Sequence, residues 1–114
     1  MNNEQLVTGR ITFDEGVAFD SATVYIRLEN VSMMDAPAGI ISEQVIKNTG
    51  YNGKPIPFEL LGNVSADDRE RFNVRVHVSM DGSSEFQKGD YNTKRSYTVP
   101  NGRARDLVVK VDKI

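Results

Sequence analysis

Cysteine and tryptophan are absent from the 114 residues, and histidine occurs once, as His77. Without cysteine the chain has no disulfide, no thiol nucleophile and no cysteine-ligated zinc site. A single histidine also excludes a multi-histidine metal site and leaves any Ser-His-Asp arrangement dependent on His77 alone. The sequence therefore predicts no catalytic residues, no metal site and no cofactor.

Long hydrophobic stretches are missing as well. Apolar runs are only a few residues long, and the start MNNEQLVTGR has no apolar core behind basic residues. We therefore expect neither a membrane span nor a signal peptide, and a cytoplasmic location for the chain as it stands, or the periplasm or cell envelope if a signal peptide was removed. The formal net charge of -2 provides no positive field for nucleic acid, so no nucleic-acid partner is predicted.

Helical periodicity is the third missing feature, because almost every apolar cluster alternates with a period of two. Val24, Ile26 and Leu28 share one face of a strand from Thr23 to Asn30. The strongest strand, FNVRVHVSM, places five apolar residues on one face: Phe72, Val74, Val76, Val78 and Met80. Further strand segments are LVTGRITF, IISEQVIK, PIPFELLG, SEFQ, TKRSYTV and DLVVKV.

Turn-forming residues separate these segments and bound the fold. Asp81-Gly82 is typical of a hairpin turn. Pro57 has no backbone N–H to donate to a neighbouring strand, so it marks an edge strand. About eight short strands at near-regular spacing predict an all-β antiparallel sandwich. We expect one domain over residues 1–114, with residues 1–5 as a flexible N-terminus and at most one short helix, from Asp67 to Arg71.

His77 and three acidic residues are the side chains that could take part in catalysis or bind a cation. His77 has the parity of the polar face, so we expect a surface histidine without a catalytic role. Asp81, Glu85 and Asp90 lie close in sequence, but their spacing matches no EF-hand loop. Turn and loop positions are the favoured interpretation for these three carboxylates.

The stretch ENVSMMDAPA breaks the alternation of the preceding strand. Val31 has the opposite parity to Leu28, so it stays in the core only if the strand bulges near Asn30. Consecutive strand residues point in opposite directions, which leaves Met33 or Met34 near the surface. We therefore expect Val31 to be buried and one methionine to be exposed. The favoured interpretation of the stretch is a strand end and crossover with Pro37 in a turn, and the alternative is that the exposed methionine also borders a surface for a protein partner. The predicted contact residues are Met33, Met34, Asp35 and Pro37.

The same stretch also resembles a known family. LENVSMMDAPA is similar to a segment of the YbaY-like, YscW-type lipoproteins, and its matching residues are Leu28, Val31, Ser32, Asp35, Ala36, Pro37 and Ala38. The resemblance continues through IISEQVI, PIPFEL, the strand from Phe72 to Met80 and KGDYNTKRSYTV. It implies a β-sandwich without catalysis. In the type III secretion branch it implies a pilotin, a small chaperone that binds and delivers an outer-membrane ring subunit.

Two functions follow from these observations. The first is a non-enzymatic, chaperone-like binding module of the pilotin type with a protein partner and no lipidated cysteine in this chain. The alternative is a sandwich that binds a small ligand or glycan in a concave site, to which Tyr25, Tyr91 and Tyr97 would contribute.

Overall fold

The computed structural model describes residues 4–31, 39–63 and 71–114. These ranges form eight strands, as predicted: β1 (Glu4–Thr12), β2 (Phe19–Asn30), β3 (Gly39–Tyr51), β4 (Ile56–Gly62), β5 (Phe72–Ser79), β6 (Tyr91–Asn92), β7 (Ala104–Lys110) and β8 (Asp112–Lys113). The only helical element in these ranges is a single 3-10 turn over Pro100–Gly102, and none of their helices could span a membrane. The all-β prediction is thereby confirmed.

Two predicted segments fall partly outside these ranges. Of the helix expected from Asp67 to Arg71, only Arg71 is described, and it is not helical. Of the N-terminus expected to be flexible, Glu4 and Gln5 are described, and both already belong to β1.

Two sheets build the sandwich, one with the order β4-β1-β7 and one with the order β3-β2-β5-β6-β8. All pairs are antiparallel except β1 with β7, which is parallel. A parallel pair needs a long crossover between its strands. Here most of the chain separates β1 from β7, which meets that requirement. Pro57 lies in β4 at the edge of the smaller sheet, as predicted.

The core lies between the inner faces of the two sheets. Val24, Ile26 and Leu28 of β2 are fully buried, which confirms the predicted phase of that strand. The inner positions of β5, β4 and β1 are buried as well, among them Phe72, Val74, Val76, Val78, Ile56, Phe58, Leu60, Val7 and Ile11. Apolar side chains from both sheets form one cluster. Burial of these side chains is the main favourable term in the stability of the fold.

Gly9 marks the closest approach within the smaller sheet. It lies on the central strand β1, between Phe58 of β4 and Leu107 of β7. A Cβ atom at this position would overlap the carbonyl oxygen of Leu107 and come within 2.9 Å of the Phe58 ring. Only glycine therefore fits at this position without displacing its neighbours.

Residues 80–90 connect β5 and β6 without the tight hairpin that Asp81-Gly82 predicted. The Asp81 carboxylate accepts hydrogen bonds from the Ser79 hydroxyl and the Ser83 backbone N–H, so the turn is present. The chain does not pair with β5 until Tyr91 and Asn92, however, and the predicted strand around SEFQ does not form. TKRSYTV forms no continuous strand either. It lies along β5 through an isolated bridge between Thr98 and Asn73 and through backbone hydrogen bonds from Thr93 N–H to Val76 O, from Val74 N–H to Tyr97 O and from Val99 N–H to Phe72 O.

Candidate functional site

The outward side of β2, β3 and β5 is the most distinctive surface of the described residues. The smaller sheet packs against the opposite side of these strands. We call this surface the outer face and define it by eight residues: Tyr25, Arg27, Glu29, Ile40, Glu43, Val45, Arg75 and His77. Strand pairing arranges all eight in rows across the sheet, with Ile40 opposite Glu29, Glu43 and Arg75 opposite Arg27, and Val45 and His77 opposite Tyr25.

The middle row of the outer face is charged. Arg27 and Arg75 lie directly opposite each other on adjacent strands. Two like charges in this position repel. Each arginine is balanced by a carboxylate: Arg27 Nε donates to Glu43, and Arg75 Nε donates to Glu29 at 3.0 Å. Glu29 is the buried member of this group, with only 8% of the residue exposed.

Apolar side chains flank this charged row. Ile40 and Val45 lie on either side of Glu43 in β3 and are 54% and 40% exposed. At the other side of the outer face, Phe86 is 55% exposed, and its ring meets the His77 ring edge-on at 4.5 Å between centroids. Single exposed apolar residues are ordinary, but several around one polar row are typical of a contact surface.

His77 corrects the expectation of a surface histidine. Its parity does turn it away from the core, yet it is only 6% exposed because residues 80–90 fold over the outer face. His77 Nε2 lies 2.9 Å from Asp90 Oδ2, and its ring stacks on Tyr25 at 5.7 Å. The backbone N–H groups of Met80 and Gln87 also donate to Asp90. The pair thus links the segment 80–90 to β5.

Two of the three acidic residues considered for a cation have separate hydrogen-bond partners. Asp81 is bonded to Ser79 and Ser83, and Asp90 to His77. The N–H of Ser83, followed by the Ser79 hydroxyl, holds the pKa of Asp81 below its ordinary value. Within 4–31, 39–63 and 71–114, no group of three or more histidine or acidic side chains is arranged to hold a metal ion.

The three tyrosines predicted for ligand binding are not brought together. Tyr25 lies on the outer face, where its hydroxyl donates to the Gly82 carbonyl at 2.8 Å. Tyr91 pairs with the inward-facing Val78 and joins the aromatic cluster with Phe13 on the core side. Tyr97 packs against the core, and its hydroxyl donates to the Lys110 carbonyl and accepts from the Lys110 N–H. Tyr25 and Tyr91 thus lie on opposite sides of one sheet.

The described surface also has a depression of about 440 Å³ at the end of β2 and β3. Its lining residues are Ala18, Phe19, Asp20, Gly50, Tyr51 and Asn52, and they include none of the three predicted tyrosines. Ligand binding through Tyr25, Tyr91 and Tyr97 stays a prediction.

The predicted partner residues Met33, Met34, Asp35 and Pro37 lie outside the described residues. Their neighbour Val31 is described, and the expectation that it is buried is wrong, because it is 36% exposed. Its backbone N–H donates to Arg71 O at 2.8 Å.

The position of the bulge explains the exposure of Val31. The pairing of β2 with β5 continues without a break from Thr23 to Asn30. Against β3 the register shifts between Leu28 and Glu29, whose partners are Ser42 and Ile40. The extra residue is therefore Ile41 of β3, not a residue of β2. Since β2 keeps its phase, nothing returns Val31 to the core.

The sequence reasoning missed two features of this site. Alternation had placed Arg75 and His77 on a polar side, but the pairing of Arg75 with Arg27 depends on the register between β2 and β5. The roles of Phe86 and Asp90 depend on the path of residues 80–90, for which SEFQ had suggested a strand. The sequence carried only one usable signal, the shared polar parity of Arg27, Glu29 and Arg75.

Comparison with known proteins agrees with the family resemblance in the sequence. A family model described as "Type III secretion system lipoprotein chaperone (YscW)" matches residues 2–109. Among solved structures, an alternative pilotin from the type II secretion system of Vibrio cholerae has a TM-score of 0.77 at 24% sequence identity, and the alignment covers 99% of this chain and 98% of that chain. No curated protein matches. At this identity the structural likeness establishes the fold, whereas the family match establishes kinship over most of the chain.

Proposed function

This chain belongs to the family of type III secretion system lipoprotein chaperones (YscW), and from that premise we propose that it is a pilotin-like chaperone that binds an outer-membrane ring subunit of a secretion system. The observation that carries the proposal is the extent of the family match, which runs from β1 into β7. The activity proposed is binding and involves no reaction.

We infer that the outer face is the surface that contacts the partner. It combines exposed Ile40 and Val45 with a charged row, and the core lies on the other side of the sheet. Partner surfaces commonly combine apolar contacts with a few polar groups that set orientation. This composition supports the outer face as the binding surface.

The segment that contains Met33 and Met34 joins the proposed surface at one end. Asn30 of β2 pairs with Gly39 of β3, so this segment links the two strands at the end of the outer face that carries Ile40. Val31, at the start of the link, is exposed as well. Methionine adapts to irregular apolar partners. We therefore retain Met33, Met34, Asp35 and Pro37 as proposed contact residues.

The proposal concerns capture of the partner and not attachment to a membrane. The 114 residues contain no cysteine that could carry a lipid. A binding test therefore needs only the chain and the candidate subunit in solution.

The test is capture of the purified ring subunit encoded with the secretion components of the same genome. We expect the tagged chain to retain this subunit and the substitution Val45→Asp to weaken the complex, because it places a charge at an apolar contact. Val108→Asp is the matched control, since Val108 is 43% exposed and lies on the outward side of the smaller sheet. Absence of capture by the unmodified chain at micromolar concentrations would overturn the proposed function.

A further inference from the structure

We propose that Arg27 and Arg75 together bind a carboxylate of the partner, and that the partner presents this carboxylate from a helix, between two apolar side chains. The inference rests on the proposed function, because it specifies how the ring subunit is recognised. It begins from two like charges that strand pairing places side by side.

Both guanidinium groups keep donors that no described residue uses. Each arginine donates through Nε to one glutamate, and neither has a hydrogen bond from a terminal Nη atom to any residue of the described ranges. The side chains are 32% and 44% exposed, so these donors are accessible to a partner. Side chains directly opposite on adjacent strands have Cβ atoms about 5 Å apart. Two such cations with free donors match a carboxylate, which accepts several hydrogen bonds at once.

The surroundings strengthen this interaction. Arg27 lies over the Tyr25 ring, 5.9 Å from its centroid, and Ile40 and Val45 flank the charged row. A partner that covers these apolar groups removes water from the arginines. Charge-assisted hydrogen bonds gain strength when the local dielectric constant falls.

The spacing of the rows on the outer face sets the spacing of the matching acid and apolar residues on the partner. Ile40 is level with Glu29 and Val45 is level with Tyr25, with Arg27 midway between them on β2. At about 3.3 Å per residue, the two apolar contacts are about 13 Å apart along the strand. A helix that rises about 1.5 Å per residue covers this distance in about nine residues. The partner acid is then expected four residues from an apolar residue on each side.

A helix fits this surface better than an extended segment. Alternate residues of a strand would also match the row spacing, but a strand lying on the outer face would leave its backbone groups without partners. A helix satisfies those groups internally. Strand addition at the β3 edge is hindered, because Ser42 already donates to Leu61 O and Gln44 Oε1 accepts from Glu59 N at 2.8 Å, which ties β3 to β4.

The first experiment measures the affinity of the purified ring subunit for the chain and its variants by titration. Arg27→Gln/Arg75→Gln should weaken binding roughly tenfold or more, because both charge-assisted contacts are lost. Arg10→Gln/Arg95→Gln removes the same charge at two exposed arginines elsewhere and should bind like the unmodified chain. The double variant could impair folding because Arg75→Gln leaves the buried Glu29 without its partner. In that case Arg27→Gln alone gives the same test, since the partner of Arg27, Glu43, is 35% exposed.

The second experiment locates the acid on the partner by replacing aspartates and glutamates of the ring subunit with the matching amides. One replacement should weaken binding to the unmodified chain and have little further effect with Arg27→Gln/Arg75→Gln. That acid should have apolar residues four positions before and after it.

The outcomes separate the two proposals. Capture by the unmodified chain with unchanged affinity in Arg27→Gln/Arg75→Gln overturns the carboxylate site and leaves the proposed function standing. A critical acid with apolar neighbours at two-residue spacing overturns the helix. Absence of capture by the unmodified chain overturns the proposed function and this inference together.

Discussion

His77 Nε2 and Asp90 Oδ2 lie 2.9 Å apart, and both side chains are almost completely buried on the side of the sheet that faces away from the core. Asp90 also accepts the backbone N–H groups of Met80, at 3.0 Å, and Gln87, at 3.1 Å. One carboxylate therefore holds both ends of the segment 80–90 and the strand β5 that lies beneath it.

The first prediction concerns this carboxylate. Asp90→Ala should lower the free energy of unfolding by roughly 2–4 kcal/mol, because two backbone donors and His77 lose their acceptor. Chemical denaturation measures the loss. Asp20→Ala, at an exposed carboxylate, should change stability by less than about 0.5 kcal/mol. Equal effects of the two substitutions would show that Asp90 does not hold the segment.

The second prediction concerns the pKa of Asp81, which the Ser83 N–H and then the Ser79 hydroxyl lower. Because the pKa is lower in the folded state, the stability that it contributes is present above the unfolded pKa, near pH 4, and is lost as the pH falls through the folded pKa. Ser79→Ala should raise the Asp81 pKa toward its ordinary value in an NMR titration. Ser83→Ala keeps the backbone donor and should leave this pKa nearly unchanged.

The third prediction tests the phase of β5. Val76→Ala should cost roughly 1–3 kcal/mol of unfolding free energy, because Val76 is fully buried and the lost methyl groups leave a cavity. Arg10→Ala, at an exposed strand position, should stay within about 0.5 kcal/mol in the same denaturant titration. A loss at Arg10 as large as that at Val76 would contradict the assignment of the core.

The fourth prediction compares two glycines in strands. Gly9→Ala should destabilise the chain by on the order of 2 kcal/mol or more, since the new methyl group collides with the Leu107 carbonyl and the Phe58 ring. No atom of the described residues lies within 4 Å of a Cβ placed at Gly39, and Gly39→Ala should leave the melting temperature nearly unchanged. The close approach of β7 to β1 would be refuted by a Gly9→Ala variant that melts like the parent.

The fifth prediction returns to the predicted partner segment. Met33→Asp or Met34→Asp should weaken capture of the ring subunit while the melting temperature stays nearly constant, because a charge replaces an adaptable apolar contact. Leu61→Asp serves as the control, since Leu61 is 46% exposed on the smaller sheet. If both methionine variants bind like the parent, the segment makes no contact with this partner.

The sequence by itself determined the class of the fold and the side of each long strand that faces the core. Side chains alternate along a strand as a local property of the backbone, so Val24, Val76 and Phe58 could be assigned to the inside without their partners. Pro57 marked an edge strand for a similarly local reason, because it has no N–H to donate. The residues that resemble the YscW-type family likewise pointed to the family that the chain belongs to.

The tertiary structure decided what covers each strand and which residues face one another. Parity turned His77 away from the core, but only the path of residues 80–90 buried it against Asp90. The bulge lies on β3, at Ile41, rather than on β2 near Asn30. Because β2 keeps its register against β5, Val31 is exposed. The juxtaposition of Arg27 and Arg75 also depends on that register. These features arise from contacts between residues far apart in the chain, whose energies no local pattern contains.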